Sequence, residues 1–158
     1  VRTLIIYTSK YGTTADCATA LKDKLSGEVI LADINKTTAP IEIDKFDTII
    51  IGGSVYADNV SKKLRVFCQN NVNTLIKKKI GIFLCCALSD KADEYFISNF
   101  PSELLNAAKT KMSFGSEARL DKMSFLDKTI LKAFTKGDYS NFKILDDRIE
   151  KFRSEMLK

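Results

Sequence analysis

Within seven residues, Thr8-Ser9-Lys10-Tyr11-Gly12-Thr13-Thr14 brings together four aliphatic hydroxyls, a lysine and a glycine, between the apolar run Leu4-Ile5-Ile6-Tyr7 and a helical pattern. A strand that turns directly into a helix leaves the first helical N–H groups unpaired, and the helix dipole adds partial positive charge there. Thr8, Ser9, Thr13 and Thr14 can donate to anion oxygens, and Gly12 allows a tight turn and close backbone approach. Neither G-x-x-x-x-G-K-[ST] nor G-x-G-x-x-G is present, so the loop is not read as a nucleoside-triphosphate or dinucleotide cradle. A monophosphate ester is the expected ligand class.

Other chemistry is sparse. The chain has no histidine, and Cys17, Cys68, Cys85 and Cys86 show no metal-type spacing, so neither a transition-metal site nor thiol redox chemistry is expected. The cysteines read as small buried hydrophobes. Without histidine, Ser/His and Cys/His nucleophile pairs are excluded, which disfavours an unaided hydrolase. The net charge of +5 favours anionic partners or surfaces. Its lysines are scattered apart from Lys77-Lys78-Lys79 and lack interleaved aromatics, so no nucleic-acid platform is expected.

The elements that must position the loop alternate between strand and helix patterns, which predicts a parallel sheet covered on both faces. After the first strand, Thr14, Ala18, Leu21 and Leu25 recur at helical spacing, and Ser26-Gly27 closes that helix before a strand at Glu28–Ala32. Thr48-Ile49-Ile50-Ile51 predicts a central strand ended by Gly52-Gly53. A helix with Leu64, Phe67, Cys68, Val72 and Leu75 follows, with Ser61 as its expected cap. A fourth strand is expected over Ile80–Cys86, then a helix capped by Ser89 or Asp90, another opened by Pro101, and a fifth strand around Met112–Gly115. Leu145, Ile149, Phe152 and Met156 mark a C-terminal helix. The apolar runs are shorter than the ~20 residues of a membrane span, and no signal-peptide pattern opens the chain, so a cytoplasmic protein of one domain, residues 1–158, is expected.

Ser9 to Thr14 resembles the [ST]-x-T-G-x-T phosphate loop of flavodoxins, with Tyr11 where that family usually has a second hydroxyl residue. The resemblance implies an α/β fold, the flavodoxin-like doubly wound five-stranded parallel sheet with helices on both faces in three layers, and it implies flavin mononucleotide (FMN). The ligand is then expected beyond the carboxyl ends of the first, third and fourth strands. The expected cofactor-binding residues are Thr8, Ser9, Lys10, Tyr11, Gly12, Thr13 and Thr14 for the phosphate. For the ring they are Ser54, Val55, Tyr56 and Ala57 after the third strand, with Ala87, Leu88 and Ser89 after the fourth. Tyr56 is the expected stacking residue. Flavodoxins often sandwich the ring between a tryptophan and a tyrosine; this chain has no tryptophan, so a less enclosed flavin, more open to a substrate, is expected. Its sequence pI near 9.0 also departs from the acidic electron carriers of that family.

Residues 116–137 form an insert that a minimal flavodoxin would not need. Phe125, Leu126, Ile130, Leu131 and Phe134 give it an apolar face, with Asp127, Lys128, Lys132 and Lys136 largely on the other side. Such a helix can pack on the domain, lie peripherally on a membrane or shelter an apolar substrate. With Ile51-Gly52-Gly53-Ser54-Val55-Tyr56 and the basic charge, the insert also resembles flavodoxin-fold protoporphyrinogen oxidases. The expected function is electron transfer through bound FMN with a redox partner protein. The alternative is an FMN-dependent oxidoreductase that oxidises a porphyrinogen and delivers electrons to a quinone. A flavin-free interaction module is a third reading.

Overall fold

The computed structural model describes residues 1–158. Strands β1 (Arg2–Tyr7), β2 (Glu28–Asp33), β3 (Thr48–Ser54), β4 (Lys79–Cys85) and β5 (Ala108–Ser113) form one sheet in the order β2-β1-β3-β4-β5. Every neighbouring pair is parallel. The order reverses beside β1, so the carboxyl ends of β1 and β3 flank a crevice where a ligand can reach several loops at once.

Strand alternation sorts the core into two layers. Leu4, Ile6, Ile49, Ile51, Ile80, Ile82 and Leu84 face α2 (Lys62–Leu75), α3 (Ala92–Asn99) and α4 (Ser102–Ala107). Ile5, Ile50, Phe83 and Cys85 face α1 (Thr13–Lys24) and α6 (Asp146–Leu157). These central strands are buried on both faces, which is why they read as continuous apolar runs. In the second layer the Phe83 and Phe114 rings stack at 4.6 Å, and Phe152 of α6 meets Phe114 edge-on at 5.3 Å. All four cysteines are buried and free. No helix is long and apolar enough to cross a membrane.

Several boundaries differ from the sequence reading. Gly52-Gly53 does not end β3: the strand continues to Ser54, pairing Gly52, Gly53 and Ser54 with Phe83, Leu84 and Cys85. A Cβ on Gly52 would sit 2.2 Å from the Phe83 ring, so this glycine makes room for a core side chain instead of breaking the strand. β5 spans Ala108–Ser113, not Met112–Gly115; on this edge strand Ala-Lys-Thr-Lys alternates too weakly in hydropathy to stand out. Ser61 does occupy the N-cap of α2, but its side chain makes no capping bond. Neither Ser89 nor Asp90 caps α3: Ser89–Lys91 is a 3-10 turn, and the Ser89 hydroxyl bonds Ser113 instead.

Candidate functional site

The loop between β1 and α1 is shaped by Ser9 and Gly12. Ser9 Oγ accepts from the N–H groups of Gly12 (3.1 Å) and Ala15 (3.2 Å), so its hydroxyl closes the start of α1 from within the loop. Gly12 has φ 96°, the left-handed region that costs an L-residue ~1–2 kcal/mol. The N–H groups of Lys10, Tyr11, Thr13 and Thr14 have no acceptor within the protein. Thr8, Thr13 and Thr14 are buried, and the Thr14 hydroxyl is hydrogen-bonded to that of Ser54, joining the loop to the end of β3.

After β3 the chain makes a two-residue turn. Tyr56 and Asn59 exchange backbone hydrogen bonds at 2.9 and 3.0 Å, while Ala57 and Asp58 both have positive φ, 48° and 65°. Two such residues without a glycine store strain, which surrounding contacts must hold. Asn99 of α3 supplies them: its side chain accepts from the Val60 N–H at 2.9 Å and donates to the Asp58 carbonyl at 3.2 Å. Tyr56 sits edge-on to Tyr11, ring centroids 5.8 Å apart, and burial pushes its phenol pKa well up. Beyond β4, Ala87 and Leu88 face the same space as Val55, Tyr56 and Ala57. Ser89 turns away, and its bond to Ser113 (3.0 Å), with the Cys86–Ser113 contact (3.2 Å), ties this loop to β5.

The insert closes the arrangement from above. Its helix α5 (Phe125–Thr135) is capped by Ser124, whose hydroxyl accepts from the Asp127 N–H. Ile130, Leu131 and Phe134 face the ring loops, bounding a cavity of about 230 Å³ together with Tyr56, Leu88 and Tyr95. Aliphatic and aromatic side chains of α5 thus line the space where no tryptophan is present, while Ile130 and Phe134 remain about half exposed. Asp127 departs from its expected place, since it lines the cavity with the apolar residues instead of facing solvent. It accepts from Lys10 Nζ at 2.5 Å and from the Tyr11 hydroxyl. These bonds, Lys10's first and Tyr11's second, lower the Asp127 pKa. The same contact with Asp127 raises the Lys10 pKa. Arg119, before α5, donates to the Tyr11 carbonyl at 3.3 Å and pairs with Asp16 and Glu117. Burial works against its charge, but those two acids outweigh the effect and its pKa is raised.

A second hollow, of about 350 Å³, lies beside the loop and is polar, lined by Thr8, Ser9, Lys10, Asn35, Ser54, Asn59 and Ser61. Tyr56 borders both hollows. A ligand with an anionic head, a hydroxylated chain and a flat, largely apolar ring fits this donor set: unpaired N–H groups at a helix start, then hydroxyls and amides, then an apolar chamber. All fourteen residues expected from the sequence lie on loops at the carboxyl ends of β1, β3 and β4, or on the strand and helix ends that bound them. The sequence reading missed Asn99, Arg119 and the inward placement of Asp127. For Asp127 a signal existed: it interrupts an otherwise apolar stripe.

This order of parallel strands with a hydroxyl-lined anion loop defines a flavodoxin-like α/β protein. A family model described as the flavodoxin domain matches residues 4–143, and the chain belongs to the flavodoxin family. It is an FMN-binding domain of that family. Among solved structures, oxidised flavodoxin 1 from Bacillus cereus is 15% identical with TM-score 0.57, covering 99% of this chain and 97% of its own. A short-chain flavodoxin associated with a non-canonical PDU bacterial microcompartment gives TM-score 0.62 at 15% identity, covering 99% and 97%. A flavoprotein in complex with FMN from Lactobacillus acidophilus NCFM gives TM-score 0.53 at 17% identity, covering 77% and 97%. At these identities the likeness is one of fold. No curated protein matches the sequence.

Proposed function

We propose that this protein transfers electrons through bound FMN to and from a redox partner protein. The observation that carries the reading is the pair of adjoining hollows, one polar and one apolar, that share Tyr56 at the carboxyl ends of the central strands. Bound there, FMN supplies one- and two-electron redox chemistry at its ring.

The chain's own groups bind and orient the cofactor. The unpaired N–H groups of Lys10, Tyr11, Thr13 and Thr14 hold the phosphate, with the hydroxyls of Thr8, Ser9 and Thr13 at hand. Gly12 lets the backbone turn inward, while Thr14 and Ser54 brace each other. Val55, Tyr56, Ala57, Ala87 and Leu88 would line the ring's chamber, with Ser89 fixing the second loop through its bond to Ser113. The side chains of Ile130, Leu131 and Phe134 on α5 would shield one side of the ring from water, lowering the local dielectric there. The FMN complex of the Lactobacillus acidophilus flavoprotein supports the same cofactor assignment.

A second reading, oxidation of a largely apolar macrocycle such as a porphyrinogen with electrons passed to a quinone, is favoured by the apolar side chains that α5 leaves exposed beside the cavity, Phe125, Leu126 and Phe134. In either reading the protein works in the cytoplasm, with peripheral membrane contact through the insert belonging to the second. The separating test is the visible spectrum of the FMN-loaded protein under anaerobic conditions. For a carrier, the flavin band is expected to stay oxidised on adding protoporphyrinogen and to bleach only with a reductase. Prompt bleaching by protoporphyrinogen, reversed by a quinone, would overturn the carrier reading.

A further inference from the structure

Helix α5 buries none of its residues: Phe125 is 84% exposed, Leu126 67%, Phe134 59% and Ile130 49%. Burial of an apolar face, the usual anchor of an amphipathic helix, is therefore weak here. Its polar attachment to the rest of the molecule runs through one place. Asp127 accepts from Lys10 and from the Tyr11 hydroxyl, while the neighbouring Ser124 N–H donates to the Tyr11 oxygen at 3.3 Å. The carboxylate side chain is only 15% exposed, and an acid so enclosed on an otherwise apolar stripe is held there by its partners. Lys10 Nζ in turn lies 5.4 Å from the Tyr11 ring centre and 5.2 Å from that of Tyr56.

We propose that Asp127 is a positioning residue that clasps α5 to the phosphate loop and so holds the insert closed over the flavin ring. The inference rests on the FMN reading for what lies beneath the helix, but the clasp itself is a property of the protein. Its chemistry leaves the loop free to bind. Asp127 takes the side chains of Lys10 and Tyr11 and none of the loop N–H groups, so an anion at the start of α1 and the closed helix are compatible. By pairing with Lys10, the clasp leaves phosphate recognition to the backbone N–H groups and the loop hydroxyls, and it links an ordered phosphate loop to the ring's chamber.

The test compares the wild type with Asp127→Asn, Asp127→Glu and Tyr11→Phe. Amide hydrogen exchange over residues 125–135 is measured in the flavin-free protein, and acrylamide quenching of bound flavin is measured after FMN loading. Loss of a charge-assisted contact is expected to speed exchange of α5 about tenfold in Asp127→Asn, less in Tyr11→Phe, with Asp127→Glu close to wild type. Quenching of bound FMN is expected to rise severalfold in Asp127→Asn, and less in Tyr11→Phe. Unchanged α5 exchange in Asp127→Asn would overturn the clasp. A wild type that binds no FMN would overturn the cofactor reading, and the exchange measurement would still decide the clasp.

Discussion

Ser9 has two tasks in one atom group: its oxygen closes the start of α1 while its hydroxyl hydrogen stays available to an anion. Ser9→Ala removes both, and hydrogen bonds to a charged group are worth about 1.5–3 kcal/mol, so FMN affinity is expected to fall roughly 10- to 100-fold in a fluorescence titration. Asn99 works at a distance from the ligand. Its truncation leaves the buried Val60 N–H without an acceptor and frees the strained Ala57-Asp58 turn, a loss of about 1–3 kcal/mol. Asn99→Ala is therefore expected to lower Tm by several degrees, roughly 2–4 °C per kcal/mol at this size, read by thermal denaturation. The two residues were unequally legible. Ser9 bonds residues three and six positions along, so its role is written locally. Asn99 meets Val60 across 39 positions, Arg119 meets Tyr11 across 108 and Asp127 meets Tyr11 across 116; the apolar stripe marks Asp127 as turned inward, but the partners at such separations are not written locally.

Among the elements, α5 shows what periodicity can and cannot tell. Spacing of Leu126, Ile130 and Phe134 announced an amphipathic helix, and the helix is there at Phe125–Thr135. Which way its apolar face turns depends on the ring loops brought beneath it by the sheet, and the Asp127 contact with Lys10 fixes that choice. The pH dependence of the contact follows from the two shifts. Asp127 lies below its ordinary value of 3.8, so its contribution is present above that value and lost as pH falls through the lowered one. Lys10 lies above its ordinary 10.5, so its contribution is full below that value and lost as pH rises through the raised one. Exposure of bound flavin to a neutral quencher is thus expected to be flat from about pH 5 to about pH 9 and to rise in strong acid and again in strong alkali. A rise centred near neutral pH would contradict the assignment. β5 is the converse case: its place in the sheet is set by pairing with β4, with a register shift between Ile80 and Gly81, and its own sequence alternates too weakly to show it.

For the molecule as a whole, the alternation of strand and helix patterns was enough to define a parallel sheet covered on both faces, because Ile49-Ile50-Ile51 and its neighbours are buried on both sides. Packing between layers decides the rest. Phe152, fully buried against Phe83 and Phe114, joins the C-terminal helix to the sheet, and Phe152→Ala is expected to cost about 3–5 kcal/mol in denaturant unfolding with the slope m unchanged. The net charge of +5 acts at longer range: electron exchange with an acidic partner is expected to slow as ionic strength rises, since screening weakens the encounter. Whether one ligand spans the anion loop and the apolar chamber beside Tyr56 is decided by titrating the flavin-free protein with FMN and with riboflavin, the same molecule without its phosphate. FMN is expected to bind more tightly by at least about 100-fold, the equivalent of two or more charge-assisted hydrogen bonds. Equal affinity for the two flavins, or no binding of either, would contradict the account.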